Sequence, residues 1–250
     1  MKELKYLLYI DILGFSNLAK SDYSKVTELF SAIDSLNAHS HPGFQTVVFS
    51  DTILIFNKTK PLTEHEHEYL VMYACEFAQD LIFRCKDLKI QFRAILTYGE
   101  FYYEKLTNIE AYHGNVLIEA YNKEKEITGL WLYIDKRISH LNKIFSSISF
   151  DKDLDFVFLL QDFEKAKYMG LEFPVPWELV DPYFLYDFRD EVEILKTVKE
   201  NADHQLDSKV RSKYLQTYYL FKTRYKQQLE FLESHDFEYQ AISPNAKWER

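Results

Sequence analysis

The sequence predicts an α+β fold, a ferredoxin-like sheet with flanking helices followed by a C-terminal helical extension. Three observations carry that prediction. From Tyr6 to Asp135, strand-like and helix-like patterns follow in the order strand, helix, strand, strand, helix, strand, helix, strand, the split βαβ arrangement with additions. Pro174, Pro176 and Pro182 then mark a change of character, after which only helical patterns occur. The 250 residues are 47% apolar and 17% aromatic, enough for a large packed core. Residues 1–180 are therefore expected to form the principal domain and residues 181–250 the extension.

In chain order, Tyr6 to Ile10 is almost wholly apolar and reads as a strand buried on both faces, closed by Asp11. Gly14, Phe15 and Ser16 make a turn into a helix from about Asp22 to Leu36, with Val26, Leu29, Phe30, Ile33 and Leu36 on one stripe. Gln45 to Phe56 reads as two strands meeting at Ser50-Asp51-Thr52. Thr63 and Glu66 form a capping box, and Leu70, Ala74, Phe77, Leu81, Ile82 and Cys85 recur at helical spacing behind it. This capped helix also accounts for Glu64-His65-Glu66-His67-Glu68 without a metal, since residues two apart do not share a helix face.

Lys89 to Glu104 is expected to be one long strand, with Phe92, Ala94 and Leu96 alternating with Arg93, Ile95 and Thr97. Gly114-Asn115 opens a helix to about Ile127, with Lys123 and Lys125 at a charged, solvated end. Trp131 to Asp135 is a further strand, and Arg137 to Phe145 is expected to be helical. Beyond the prolines, Glu191 to Lys199 and Val210 to Leu232 read as helices, the second with a packing stripe of Tyr214, Tyr218, Phe221 and Tyr225.

Charge and cysteine usage narrow the class. Acidic residues outnumber basic ones 39 to 30, a formal charge of −9, so the chain has no general attraction for nucleic acid or an anionic membrane. Cys75 and Cys85 lie ten positions apart in one expected helix, about 15 Å along its axis, too far for a disulfide. A reduced, cytoplasmic protein is expected. No apolar run is long enough to span a membrane, and the N-terminus shows no signal-peptide pattern.

Two aspartates suggest chemistry. Asp11 ends a buried strand, and Asp51 sits at the junction of the next two, which neighbour the first in a ferredoxin-like sheet. Two carboxylates at adjacent strand ends repel unless something positive lies between them. Mg²⁺ or Mn²⁺, which takes oxygen ligands and shares its shell with phosphate, fits that need. The turn after Asp11 leads into a helix N-terminus, whose free N–H groups suit a phosphate chain. Val47 and Phe49 alternate with Asp51 on the expected strand, so all three are expected on one face, with Phe49 narrowing a base pocket.

Four segments carry a family resemblance. Asp11-Ile12-Leu13-Gly14-Phe15-Ser16 resembles the first metal motif of class III nucleotidyl cyclases, and residues 49–56, Phe-Ser-Asp-Thr-Ile-Leu-Ile-Phe, resemble the second metal-aspartate hairpin. Residues 93–100, Arg-Ala-Ile-Leu-Thr-Tyr-Gly-Glu, are similar to the family's fourth strand, and Gly114-Asn115 with Val116 to Tyr121 to its glycine-led helix. The likeness runs in order over about residues 5–135 and leaves out the C-terminal third. It implies a two-metal site made by Asp11, Asp51 and the carbonyl of Ile12, with Mn²⁺ or Mg²⁺ bound. The ribose 3′-oxygen attacks the α-phosphorus and pyrophosphate leaves. Leu13, Gly14, Phe15 and Ser16 in the turn, and Val47, Phe49 and Ser50 on the hairpin, are the residues expected at the nucleotide. Active sites of this family form between two cyclase domains, so a homodimer is implied.

The chain departs from the adenylate cyclases of the family at Val47, Ala111, Ile118 and Asn122. These stand where that group has its base-reading lysine, its second base-reading residue, and its transition-state Asn and Arg. Residues 114–121 resemble instead the corresponding helix of the Pycsar cyclases, pyrimidine cyclases of bacterial antiphage defence. The implied reaction is conversion of UTP or CTP to cyclic UMP or cyclic CMP, with Arg93 as the replacement cation, since an arginine in an otherwise apolar strand needs a partner. The alternatives are a catalytically inactive cyclase-like module that senses a nucleotide or assembles with a partner, and an adenylate cyclase.

Overall fold

Strand β1, Leu4–Ile12, lies inside a seven-stranded mixed sheet, paired on both edges, and its residues are apolar on both faces. The structure, a computed structural model, describes residues 3–176 and 182–248; the domain boundary expected at 180–181 lies outside them. The chain divides into two compact units, Met1–Leu159 and Leu160–Arg250.

In the first unit, β1 is followed by α1 (Phe15–Ser21), α2 (Tyr23–Asp34) and α3 (Asn37–Ser40). The hairpin β2 (Phe44–Phe49) and β3 (Thr52–Asn57) leads to α4 (Glu64–Arg84), then β4 (Phe92–Glu100). A separate two-stranded hairpin, β5 (Tyr102–Lys105) with β6 (Glu110–His113), precedes α5 (Asn115–Glu126) and β7 (Trp131–Asp135). The short α6 (Lys136–Ser139), β8 (Ser147–Ser149) and β9 (Leu154–Val157) complete the unit. The sheet order is β2-β3-β1-β4-β7-β9-β8; its first four strands have the ferredoxin-like arrangement, and β7 is added parallel to β4 through the crossover helix α5.

Several elements match the sequence pattern closely. Thr63 and Glu66 do form the reciprocal capping box of α4, and Leu70, Ala74, Phe77, Leu81, Ile82 and Cys85 are all buried. Both cysteines are free and buried. Others differ for identifiable reasons. The long strand expected over Lys89–Glu104 is instead β4, Phe92–Glu100, which ends where Glu100 pairs with Leu4, the first residue of β1, and residues 102–105 turn away to pair with β6 in the separate hairpin. The helix expected over Arg137–Phe145 is only the four residues of α6, and the chain turns back into β8 and β9, where Asp151 Oδ1 accepts the N–H groups of Asp153 and Leu154 in an Asx-type turn. The Asp22–Leu36 helix begins as expected, with Asp22 accepting from Lys25 N–H, but Phe30 is 37% exposed rather than part of the core.

The second unit is helical: α7 (Gln161–Tyr168), α8 (Pro182–His204), α9 (Ser208–Arg224) and α10 (Lys226–Ser234). The expected helix over 210–232 is broken at Tyr225, whose backbone leaves the helical region while its ring is buried and its hydroxyl donates to Glu164 at 2.9 Å. Tyr214, Tyr218, Phe221 and Tyr225 are all buried, as a packing stripe requires. No helix among the described residues is long and apolar enough to cross a membrane.

Candidate active site

Register places the first aspartate. Asp11 lies opposite Thr52 on β3 and opposite Arg93 on β4, and directly opposed residues share a face of the sheet. Asp51 is in the tight turn between β2 and β3, after Ser50 at φ 56, and its carbonyl accepts the N–H of Ile12 at 2.9 Å. The main chain at Asp51 therefore lies beside that at Ile12, next in sequence to Asp11, at one end of strands β1 and β3. The expectation that Val47, Phe49 and Asp51 share one strand face holds only for the first two. The turn at Ser50 ends β2, and Phe49 pairs with Thr52 across it. It is Asp11, through Thr52, that joins Val47 and Phe49 on a common face.

That face borders a cleft of about 560 Å³ between the sheet and α5, lined by Tyr9, Val47, Phe49 and Thr52 on one side and by Ile118, Tyr121 and Asn122 on the other. The volume is in the range of small-molecule sites. Phe49 is 79% exposed and stands at the rim; Val47 lies deeper and packs against the core that α5 covers. Tyr9 was not singled out by sequence, though it lies two residues before Asp11 on the same strand face, a period-2 signal. Its hydroxyl is raised above the ordinary tyrosine value, first by burial and then, against a hydrogen bond with Thr52, by the negative charges of Asp11 and Glu124.

The turn after Asp11 is tied into the sheet: the Leu13 N–H donates to the carbonyl of Gln91 at 2.8 Å. Gly14 has φ 76, the left-handed region, with open space where a Cβ would stand, so its role here is conformational. Phe15 packs edge-on to Phe30, and Ser16 is exposed; no side chain caps α1.

Arg93 is not solvated. Its side chain is 11% exposed, and its Nη2 donates to Asp11 Oδ2 at 3.1 Å and pairs closely with the buried Glu124 carboxylate. Its Nη1 donates to the carbonyls of Glu124 and Ile127 at 3.2 and 3.4 Å, where α5 ends. Glu124 carried no sequence signal, because a glutamate near a charged helix end reads as solvated. Lys123, expected to be solvated, bonds the buried Asp135 at 2.8 Å; its position on α5 turns it inward. Lys125 lies 3.7 Å over the Tyr121 ring.

At the other end of the same face, Asp135 also accepts from Arg137 N–H and Nε, at 2.9 and 3.0 Å, and from Thr97. Burial pushes the Asp135 carboxyl up, but hydrogen bonds from Arg137 and Lys123 outweigh it and hold the group below the ordinary carboxylate range.

The donors expected from the sequence, two carboxylates and a main-chain carbonyl, are all oxygens and suit a hard cation, and among the described residues no group of three or more His, Cys, Asp or Glu side chains is arranged to hold a metal unaided. An incomplete oxygen shell that phosphate and water would fill fits Mg²⁺ or Mn²⁺ and not a structural zinc.

No family model matches the chain, and no curated protein matches it. Among solved structures it is similar to the adenylyl cyclase CyaB from P. aeruginosa, with 11% identity and a TM-score of 0.49 over 63% of this chain and 95% of that one. It is also similar to the guanylyl cyclase domain of the RhoGC fusion protein from the aquatic fungus Blastocladiella emersonii, with 17% identity and a TM-score of 0.48 over 61% and 93%. A third is an adenylate/guanylate cyclase/hydrolase from Silicibacter pomeroyi, at 14% identity and a TM-score of 0.42 over 62% and 96%.

Proposed function

We propose that this chain is a metal-dependent nucleotidyl cyclase of the class III kind, converting UTP or CTP to 3′,5′-cyclic UMP or cyclic CMP and pyrophosphate. The observation that carries this reading is the register that sets Asp11 opposite Thr52, a residue lining a cleft of small-molecule size, with the main chain of Asp51 bonded to that of Ile12. When bound, two Mn²⁺ or Mg²⁺ ions held by Asp11, Asp51 and the Ile12 carbonyl supply activation of the ribose 3′-hydroxyl and charge neutralisation of the triphosphate. The chain's own groups position the substrate. The N–H groups of Phe15 and Ser16, which begin α1 without a side-chain cap, orient phosphate oxygens. Val47 and Phe49 face the base, and Ser50 holds the turn that presents Asp51.

Pyrimidine selection rests on the uncharged cleft wall: Val47 and Ile118 offer no group that reads a purine edge. Exposed Phe49, Ile118 and Tyr121 surround the cleft, an apolar rim that a second copy of the chain covers in a homodimer, with the active sites at the interface. The product is read as a second messenger in cytoplasmic antiphage defence.

One observation favours a second reading, a catalytically inactive nucleotide-sensing module: no lining side chain of the cleft is cationic. The test is incubation of the purified protein with Mn²⁺ and each of the four ribonucleoside triphosphates, with products read by mass spectrometry. A cyclic pyrimidine monophosphate is expected. A cyclic purine product would overturn the base assignment, and no product with any nucleotide would favour the inactive module.

A further inference from the structure

The geometry points to Arg93 as a positioning residue, an internal counter-ion that holds Asp11 in the metal-free site and yields it to an incoming cation. This rests on the reading of Asp11 and Asp51 as metal ligands. A guanidinium has five N–H donors in a rigid plane. Four acceptors surround Arg93: Asp11, the Glu124 carboxylate, and the carbonyls of Glu124 and Ile127. Only Nε has no hydrogen-bond partner, and it is buried. The group is thus clamped between β1 and the C-terminal end of α5, where a cation is also favoured by the helix carbonyls.

The charges explain why the clamp can release. Asp11 and Glu124 share the one guanidinium of Arg93, since neighbouring Lys123 is committed to Asp135. Two carboxylates against one guanidinium leave one negative charge, to which Asp51 adds a second on the reading of it as a metal ligand, and a divalent ion offsets that excess. A metal at Asp11 and Asp51 takes over the neutralisation of Asp11, and Arg93 keeps Glu124 and the two carbonyls. Glu124 therefore sets how strongly Arg93 competes for Asp11. Because α5 carries Ile118, Tyr121 and Asn122 into the cleft, metal occupancy is coupled to the helix that lines the nucleotide.

The test measures Mn²⁺ binding alone, without nucleotide, by electron paramagnetic resonance of the free ion, on the full chain. Glu124→Gln leaves Arg93 with only one carboxylate and is expected to weaken Mn²⁺ binding by about tenfold. The double variant Arg93→Gln/Glu124→Gln removes both buried charges and is expected to bind at least as tightly as the wild type. A merely structural strut would show the two variants weakening in the same direction, and that result, or an unchanged Glu124→Gln, overturns the proposal. Should Glu124→Gln fail to fold, the double variant alone decides: binding at or above wild type supports the inference, and weaker binding sinks it. Asp51→Asn separates the two levels. If it binds Mn²⁺ like the wild type, or if the wild type binds none, the metal reading itself falls; if it loses Mn²⁺ while the Arg93 pair shows no reversal, only this inference falls.

Discussion

Asp11 and Asp135 stand on the same face of one sheet, at opposite ends, and their surroundings differ in sign. Around Asp135, Lys123 and Arg137 bring two cations to one buried carboxylate, and Thr97 adds a hydroxyl. Around Asp11, one arginine is shared with Glu124, so two carboxylates divide a single guanidinium. The glycines repeat the contrast. At the Asp135 end, Gly114 begins α5 with φ 144, and an added Cβ would lie 2.2 Å from the Glu100 carbonyl oxygen. At the Asp11 end, Gly14 has nothing within 4 Å of that position. One end is closed and electrically satisfied, as a scaffold should be; the other is open at Gly14 and carries more carboxylate than cation, which is what the proposed metal site requires. Burial of an acid says little by itself; the balance of its partners decides what it does.

The comparison can be broken most severely at the open end. Asp51→Ala is expected to lower cyclic nucleotide formation at least about a thousandfold while leaving the fold intact, since the metal site loses half its carboxylates. Turnover assays beside circular dichroism would check it, and retained turnover would remove the metal assignment. At the closed end the effects are on stability. Gly114→Ala sets a Cβ against a main-chain oxygen at a φ that L-residues avoid, and is expected to cost about 3–4 kcal/mol in urea unfolding. Asp135→Asn leaves Lys123 and Arg137 without their buried partner. A loss of about 2–3 kcal/mol is expected, below the full value for a buried pair because Arg137 is largely exposed.

The same substitution has a pH signature. The folded Asp135 carboxyl is depressed, so its stabilisation is fully present above the unfolded carboxylate value of about 4 and is lost only as pH falls through the lower folded value. Unfolding free energies measured downward from pH 5 should therefore drop less steeply in Asp135→Asn than in the wild type. The smallest effect is expected back at the open end: Gly14→Ala, strained in backbone but free of clashes, should cost about 1 kcal/mol. A loss as large as that of Gly114→Ala would mean the Asp11 turn is as closely packed as the Asp135 end.

Much of this contrast was legible in the residues and part was not. Asp11 and Asp51 stood out because charged groups interrupt apolar strands, and Thr63 with Glu66 announced α4 because a capping box is local chemistry. Glu124 and Lys123 did not stand out. They sit in a run of charged residues, and only the packing of α5 on the sheet turns one toward Arg93 and the other toward Asp135. The extent of β4 was equally invisible, because where a strand stops depends on where its partner begins. The β8–β9 hairpin was missed for a related reason: three- and four-residue strands carry too short a pattern to read against noise.

By itself, then, the sequence determined the order of the main strands and helices from β1 to β7, the buried β1, the two aspartates at strand ends and the helical character of the C-terminal region. These follow from period, propensity and local turn chemistry, which act over a few residues. Tertiary structure alone decided that Asp11 faces Arg93, that Glu124 shares that arginine, that Asp135 is neutralised from two sides, and that a cleft opens between Phe49 and Tyr121. Those are juxtapositions across tens of residues, and they exist only once register and helix packing have brought the groups within hydrogen-bond reach.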